Sequence, residues 1–592
     1  MQGNKLSITG KIWEIQSQAN KVQLSQKIGV SEIIGRVLTA RQPDINSEEA
    51  FQFLSPQFSH MPDPEHLLDI GKAVARIRQS LVEQEKIAIW GDYDVDGACA
   101  SALLIRYFKA LGVEPVLYIP DRLNEGYGPN TEGMQKLKEQ GVSLVITVDC
   151  GSTAVEALEL AQQIGLDVVV TDHHQCLPAL PPAVAIVNPN RVDETSSCTM
   201  LCGAGVAFYL LMALNRTLRK EGFFTEKQLK EPDLRQWLDL VATASICDLV
   251  PLVGVNRVLV QRGLQVLNQR QNAGLNALAE VSNATGELGA YHLGFQIGPR
   301  LNAGGRLADS DLGAKLLSTD SESEATQLAQ RLDRLNQERR KVQEKVQEEA
   351  TEIAEKQAQE PAIIVAGEGW HPGVVGIVAA RLKEKFHRPT FVLSMGEDGT
   401  STGSGRSISR VDLGQAVQAC HKHILRGGGH AMAAGVTLEN SKIKDFSDCL
   451  RQCVMQQVAR VADPFTPHIN IDGILQPATI TEKFMQEMER LQPFGSGHAE
   501  PTFALSGVTL RDYRPVGADG KHAKLRLSGA DGTSLDAIAF GVTGTPLGDF
   551  LYSQRGQRVS LAGNIRENSF NGRKKADFHV KDAFAGIWEP KN

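Results

Sequence analysis

This 592-residue chain has no long hydrophobic run. The longest, Ala204 to Leu214, is about half of the roughly 20 apolar residues that a membrane span requires. The opening residues, MQGNKLSITGKIW, also lack the continuous apolar core of a secretory signal. A cytoplasmic chain with no membrane segment is therefore expected. An excess of basic charge is missing too: 62 Lys and Arg stand against 69 Asp and Glu, a net charge of −7. That excludes a polycation that coats nucleic acid by bulk charge, so contact with any polyanion has to come from a local patch. No C-x-x-C pair occurs among the nine cysteines. Cys198/Cys202 and Cys449/Cys453 are four apart, a spacing that lines one helix face and is more often core than zinc site. A reduced interior is the simplest reading.

Glycine and proline are absent between Gly313 and Pro361, where Gln, Glu, Arg and Lys dominate. Leu328, Leu332, Leu335, Val342, Val346 and Ile353 form a heptad-like stripe there. It predicts one helix from about 322 to 358, roughly 55 Å long, packed on the chain's own domains rather than on a second copy, hence a monomer. The rest of the composition is ordinary for globular protein, 42% hydrophobic and 22% charged with 55 glycines, and the length predicts three to five domains. Residues 1–66 read as a helical N-terminal segment. In 67–320, helical patterns alternate with the β-branched runs Lys86–Trp90, Pro115–Ile119, Leu144–Val148, Val168–Thr171 and Ala183–Val187, which predicts an α/β region with a parallel sheet. A connecting helix (321–360), a second α/β domain (361–462) and a β-rich tail (463–592), read as an OB-like barrel, complete the chain.

The chemistry concentrates at strand ends. Gly91-Asp92-Tyr93-Asp94-Val95-Asp96-Gly97 directly follows KIAIW. Its acids are spaced like the start of an EF-hand loop, but position twelve from Asp92 is Leu103 where a Glu is needed, and a strand precedes it rather than a helix. Three carboxylates at the carboxyl end of a parallel strand repel one another unless a cation neutralises them. LVITV likewise runs into Asp149-Cys150-Gly151, and VVVT into Asp172-His173-His174; Asp248 follows the apolar helix ending TASIC. Carboxylates plus imidazole without thiolate suit Mn²⁺ or Mg²⁺, in a one- or two-ion site.

GDYDVDG, VDCG, TDHH and Asp248 resemble, in order and spacing, the four motifs of the DHH phosphoesterase superfamily. The second α/β domain resembles its accessory DHHA1 domain, whose glycine signature matches Gly427–Gly435. Asp121–Gly128, Gly298–Arg306, the N-terminal segment and the tail with Pro493–Gly497 look like the RecJ family within that superfamily. The resemblance spans about 40 to 585. It implies a parallel-sheet DHH catalytic domain, a connecting helix, a DHHA1 domain and an OB-like β-barrel. It also implies a 5′→3′ exonuclease on single-stranded DNA that releases 5′-mononucleotides with two ions, Mn²⁺ or Mg²⁺. Asp94, Asp96, Asp149, His173 and Asp248 match the catalytic and metal-ligand motifs, with Asp92 a further candidate. His174 is expected to touch the scissile phosphate. Some branches carry a ligand histidine where this chain has Trp90.

Substrate contacts are expected from Arg122, Arg300, Asn302 and Arg306 in Gly-flanked loops. Ser404 and Arg406 resemble a phosphate-binding strip, and Gly428, Gly429 and His430 form a glycine loop. Arg forks suit phosphate, and consecutive glycines allow an anion nest. Tyr513, Phe540 and Phe570 in the tail are candidate stacking platforms. A single-strand-binding protein and a helicase are the partners the resemblance implies, in DNA repair and recombination. Two other readings stand beside this one: a DHH phosphodiesterase of short oligonucleotides or cyclic dinucleotides, and an inactive replication scaffold.

Overall fold

The computed structural model describes residues 6–15, 22–121, 125–307, 309–570 and 573–590. The chain folds as two compact units. One comprises Gln18–Asn336 and Glu482–Glu500; the other comprises Met1–Ser17, Gln337–Thr481 and Pro501–Asn592.

The first unit is built on five parallel strands in the order Val116–Tyr118, Ile87–Trp90, Leu144–Val148, Asp167–Thr171 and Ala185–Val187. The strands are apolar at nearly every position because both faces are covered, as a parallel sheet requires. Ala88, Trp90, Val145, Val168 and Val170 pack against the helices Thr131–Glu139 and Val155–Gln163. Ile87, Ile89, Leu144, Ile146 and Val169 face the larger core built from Val95–Ala110, Gly203–Lys220 and Leu238–Cys247. Each fully buried large side chain contributes about 1.5–3 kcal/mol. That rigid sheet holds the loops at its carboxyl edge.

Trp90 has no exposed surface and stacks on Tyr118 at 4.3 Å between ring centroids. A Cβ on Gly133 would lie 2.3 Å from Trp90 Cη2, so the helix can cross the indole only with glycine there. The residue that stands in the place of a ligand histidine is thus a core side chain on the opposite face of the sheet.

Glu482–Glu500 folds onto this unit although more than a hundred residues separate the two in sequence. Arg257, fully buried, holds it there. Its Nη2 donates to the carbonyls of Arg490 (3.0 Å), Leu491 (3.0 Å) and Gln492 (2.8 Å), its Nη1 to Pro493 (3.4 Å), and its Nε to Phe53 (2.6 Å). The guanidinium lies 3.8 Å from the centre of the Phe53 ring. Leu252 N–H donates to the Ser496 carbonyl at 2.9 Å.

In the second unit the sheet order is Arg426–His430, Ala433–Glu439, Thr400–Arg406, Thr390–Met395 and Ile363–Glu368, with only the last pair parallel. The tail closes as a barrel, because Phe503–Val516 pairs with both His522–Ser528 and Arg558–Phe570. Here two expectations change. The N-terminal segment is not wholly helical: Ile12–Ile15 is a strand parallel to His468–Ile471. Trp13 explains it, since its indole N–H donates to Asp582 at 2.8 Å and its ring meets Phe584 and Trp588 edge-on. Nor are all cysteines reduced, for Cys420 and Cys449 are joined as a disulfide where Leu413–Ala419 packs on Ile443–Val458. Cys198 and Cys202 are buried free thiols, but they share no helix face: Cys198 lies in the loop before the helix Gly203–Lys220 and Cys202 is its N-cap.

The long helix runs Glu322–Glu355. Ala325, Ala329 and Leu332 belong to the core of the first unit, and Val346, Ala350 and Ala354 pack with Ile363, Val374 and Val378 in the second. Its apolar stripe is consumed within the chain. No helix among the described residues is long and apolar enough to cross a membrane.

Candidate metal centre

The three strand ends converge. Asp94 caps the helix Val95–Ala110, its carboxylate accepting the N–H groups of Asp96 (2.9 Å) and Gly97 (3.1 Å). A Cβ at Gly97 would strike the Asp92 carbonyl at 2.5 Å, so this glycine lets the acidic turn close on itself. Asp96 points inward and accepts N–H groups from Gly203 (2.6 Å) and Ala204 (2.7 Å) at the start of the helix Gly203–Lys220. A helix N-terminus favours a carboxylate there. Asp149 leaves its strand with a φ of 60°, and a Cβ on Gly203 would lie 2.7 Å from that of Asp149. Asp248 caps the carboxyl end of Leu238–Cys247.

His173 sits between them. Its Nε2 is 3.1 Å from Asp149 Oδ1, 3.6 Å from Asp96 Oδ2 and 3.7 Å from Asp248 Oδ2. Three groupings lie within 4.8 Å by ligand atoms: Asp92/Asp94/Asp149, Asp96/His173/Asp248 and Asp149/His173/His174. All seven side chains singled out from the sequence as catalytic or metal-ligating therefore meet at one place.

Burial and mutual repulsion raise three of the carboxyls. The Asp149 carboxyl is pushed well above its ordinary value by burial and then by Asp96, Asp94, Asp92 and Asp248. Burial raises Asp96 as well, and lifts Asp248 to about 8 with Asp96 and Asp94 adding to it. Asp149 Oδ1 and His173 Nε2 are buried and make no hydrogen bond. Five carboxylates together with the His173 imidazole fit hard divalent cations. Burial keeps the neighbouring thiols of Cys99, Cys202 and Cys247 protonated, so no thiolate competes.

Asp172 was visible at its strand end but carried no assigned role. Its carboxylate accepts N–H groups from Ser152 (3.0 Å), His173 (2.7 Å) and His174 (3.1 Å), and lies 2.8 Å from His174 Nδ1. Burial opposes the charge, but these bonds hold its pKa below the carboxylate range. In return Asp172 lifts half-exposed His174 to about 9 against the opposing effect of burial. Asn188 and Asn190 donate to the carbonyls of His174 and His173, and Tyr127 O–H reaches the Asp149 carbonyl at 3.2 Å. Residues that orient ligands leave no spacing pattern, which is why the sequence did not reveal them.

The substrate candidates are more dispersed. Gly298–Leu307 is a helix, not a Gly-flanked loop. Its glycines serve packing: a Cβ on Gly305 would lie 2.7 Å from the Tyr93 carbonyl, so the helix rests directly on the acidic turn. Arg300 is engaged with Asp333 (2.8 Å) and the Gln296 carbonyl (2.7 Å); Asn302 and Arg306 are half-buried on the same helix. Arg122 lies outside the described residues. The glycine signature is likewise no loop but an exposed edge strand, Arg426–His430. Strand register places Ser404, Gly435 and Gly428 in one row, and Arg406, Ala433 and His430 in the next. Ser404, Arg406, Gly428 and His430 thus share one sheet face, and Gly429 (φ 150°) falls between the rows, where a Cβ would meet the Ala433 carbonyl at 2.3 Å. In the barrel Tyr513 is buried and offers no stacking face, Phe540 is exposed, and the Phe570 side chain lies outside what is described.

Residues 86–245 match the DHH family, N-terminal domain; 359–456 match the DHHA1 domain; 471–582 match the RecJ OB domain. The chain is 36% identical over 582 residues to the single-stranded-DNA-specific exonuclease RecJ of Bacillus subtilis, covering 98% of this chain and 71% of that one. It is 37% identical over 540 residues to the enzyme of the same name from Escherichia coli, covering 88% and 91%. The crystal structure of RecJ in complex with Mn²⁺ from Thermus thermophilus superposes with a TM-score of 0.78 at 28% identity, over 98% of this chain and 79% of that one. With three domain matches in order and identity sustained along nearly its whole length, this chain belongs to the RecJ family.

Proposed function

We propose that this chain is a single-strand-specific 5′→3′ DNA exonuclease that hydrolyses phosphodiester bonds and releases 5′-mononucleotides. The observation that carries the reading is the convergence of Asp92, Asp94, Asp96, Asp149, His173 and Asp248 at the end of a rigid sheet, where burial and neighbouring charge raise the carboxyls of Asp96, Asp149 and Asp248. Those six residues would hold two divalent ions, Mn²⁺ or Mg²⁺. When bound, such a pair lowers the pKa of water toward neutrality and neutralises charge on the attacking and leaving oxygens.

The chain's own groups do the rest. Asp94 and Asp96 are fixed by backbone N–H groups, so their free lone pairs have one orientation. His174, protonated at neutral pH through Asp172, donates its exposed N–H to a non-bridging phosphate oxygen. Cleavage of the bond between the scissile phosphorus and the 3′-oxygen of the terminal nucleotide releases that nucleotide with its own 5′-phosphate and leaves the scissile phosphate on the shortened strand. Ser404, Arg406, Gly428, Gly429 and His430 are proposed to bind the substrate backbone, as are Arg300, Asn302 and Arg306. Arg300 would have to exchange Asp333 for phosphate.

The proposal extends to a monomer in the cytoplasm that works with a single-strand-binding protein and a helicase. The short-oligonucleotide reading is less favoured, because the RecJ OB domain match and the full-length identity go beyond a catalytic and accessory pair. The intact donor set speaks against an inactive scaffold. Mn²⁺-dependent release of mononucleotides from a 5′-phosphorylated single-stranded 30-mer tests the function. Release from the 5′ end alone, with duplex resistant, is expected. Preference for two- to five-mers, or binding without release, overturns it.

A further inference from the structure

Two large aromatic side chains lie in the open on a turn packed against the helix end that carries Asp248. Tyr291 and Phe295 are 58% and 67% exposed, and their rings stack with centroids 5.2 Å apart at 29°. They project from a short helical stretch that includes the π-helical turn Leu293–Ile297. The inner side of that turn is pinned: Leu293 and Ile297 are fully buried, and the Leu293 carbonyl accepts from Cys247 Sγ at 3.5 Å. A Cβ on Gly298 would fall 2.5 Å from the same sulfur, and one on Gly294 would lie 3.6 Å from Ile246 Cγ2. Cys247 directly precedes Asp248, and Leu249 directly follows it, itself 71% exposed in a left-handed conformation. The inner face of the turn is therefore seated on the helix end that delivers a proposed ligand, while its outer face carries the aromatic pair.

A stacked pair four residues apart stabilises its own helix by only a few tenths of a kcal/mol. That is small against the cost of leaving both rings in water. A π turn is also uncommon and tends to mark functional places in a helix. A polymer that reaches the metal centre as a single strand brings bases whose faces are unpaired, and stacking on aromatic side chains binds them without reading sequence.

We infer that Tyr291 and Phe295 form a platform on which bases of the single-stranded substrate stack next to the scissile bond. This rests on the exonuclease reading and adds to it a reason for single-strand preference: bases inside a duplex have no free face to offer.

The experiment uses the full chain with Mn²⁺ and a 5′-phosphorylated mixed-sequence 20-mer, together with versions carrying one abasic residue at successive positions from the 5′ end. For Phe295→Ala and Tyr291→Ala, KM rises about tenfold, at the lower end of single-base stacking losses, with kcat within about twofold. Phe295→Trp restores KM. In the wild type, abasic residues raise KM at one or two positions near the 5′ end; in Phe295→Ala that sensitivity disappears. Both side chains are exposed, so thermal unfolding stays at the wild-type temperature. Unchanged KM in both alanine variants, or an abasic penalty identical in Phe295→Ala and wild type at every position, overturns the platform and leaves the exonuclease standing. A wild type that releases nothing overturns both.

Discussion

Asp149→Asn is expected to make the metal-free protein more stable while it abolishes hydrolysis. Asp149 is buried among Asp92, Asp94, Asp96 and Asp248, and its pKa is raised by burial and by those neighbours. Without cations at pH 7 the folded chain must either protonate this carboxyl or bear its charge. Protonation sets the upper bound on the cost: about three pH units between 3.8 and 7 at 1.36 kcal/mol each, or about 4 kcal/mol. Asp96 and Asp248 share the cluster's protons, so about 2 kcal/mol is the expected gain from one neutral side chain. Asparagine is isosteric and, with aspartate, is one of the few residues at ease with a φ of 60°, so the backbone is not disturbed. A raised folded pKa means that the wild type's stability is intact below about pH 4 and is lost as pH rises. The gap between variant and wild type is therefore absent near pH 4 and opens toward neutrality. Urea denaturation in EDTA across that range measures it. A variant no more stable than wild type at pH 7, or a gap that does not change with pH, refutes the repulsion argument.

Arg257→Met should strip the Glu482–Glu500 segment from the first unit. The five backbone carbonyls lose a buried donor, at about 3–5 kcal/mol in all, and limited proteolysis should cut within 482–500; unchanged stability and protection would contradict the clamp. Asp172→Asn removes the carboxylate that lifts His174 to about 9. The ring should then titrate near its ordinary value of about 6.5, so the variant loses rate between about pH 6 and 8 where the wild type does not, with NMR titration of His174 as the direct check.

The fold and the cluster of acidic side chains with His173 were legible because both rest on local patterns. IAIW, LVITV and DVVVT are apolar at most positions, as strands buried on both faces tend to be, and each runs into an acid at the sheet edge where α/β folds place ligands. What stayed hidden depends on long-range contacts. Ile12–Ile15 is a strand only because Asp582 and Phe584 receive Trp13, and Glu482–Glu500 joins the first unit through the buried charge of Arg257. Glycines misled in one direction: Gly304 and Gly305, read as a loop, are there for close approach of a helix to Leu332 and Tyr93. Consecutive Gly427–Gly429 likewise form an edge strand. Asp172 and the Tyr291–Phe295 pair escaped because orienting hydrogen bonds and exposure have no sequence period.

The central claim is that three strand ends and Asp248 hold the ions that cut the phosphodiester bond. Mn²⁺ anomalous scattering from crystals of the full chain tests it most directly. Two peaks are predicted, enclosed by Asp92, Asp94, Asp96, Asp149, His173 and Asp248, with both lost in Asp149→Ala crystals of the same fold. No peak at this place, or occupancy only elsewhere, contradicts the account.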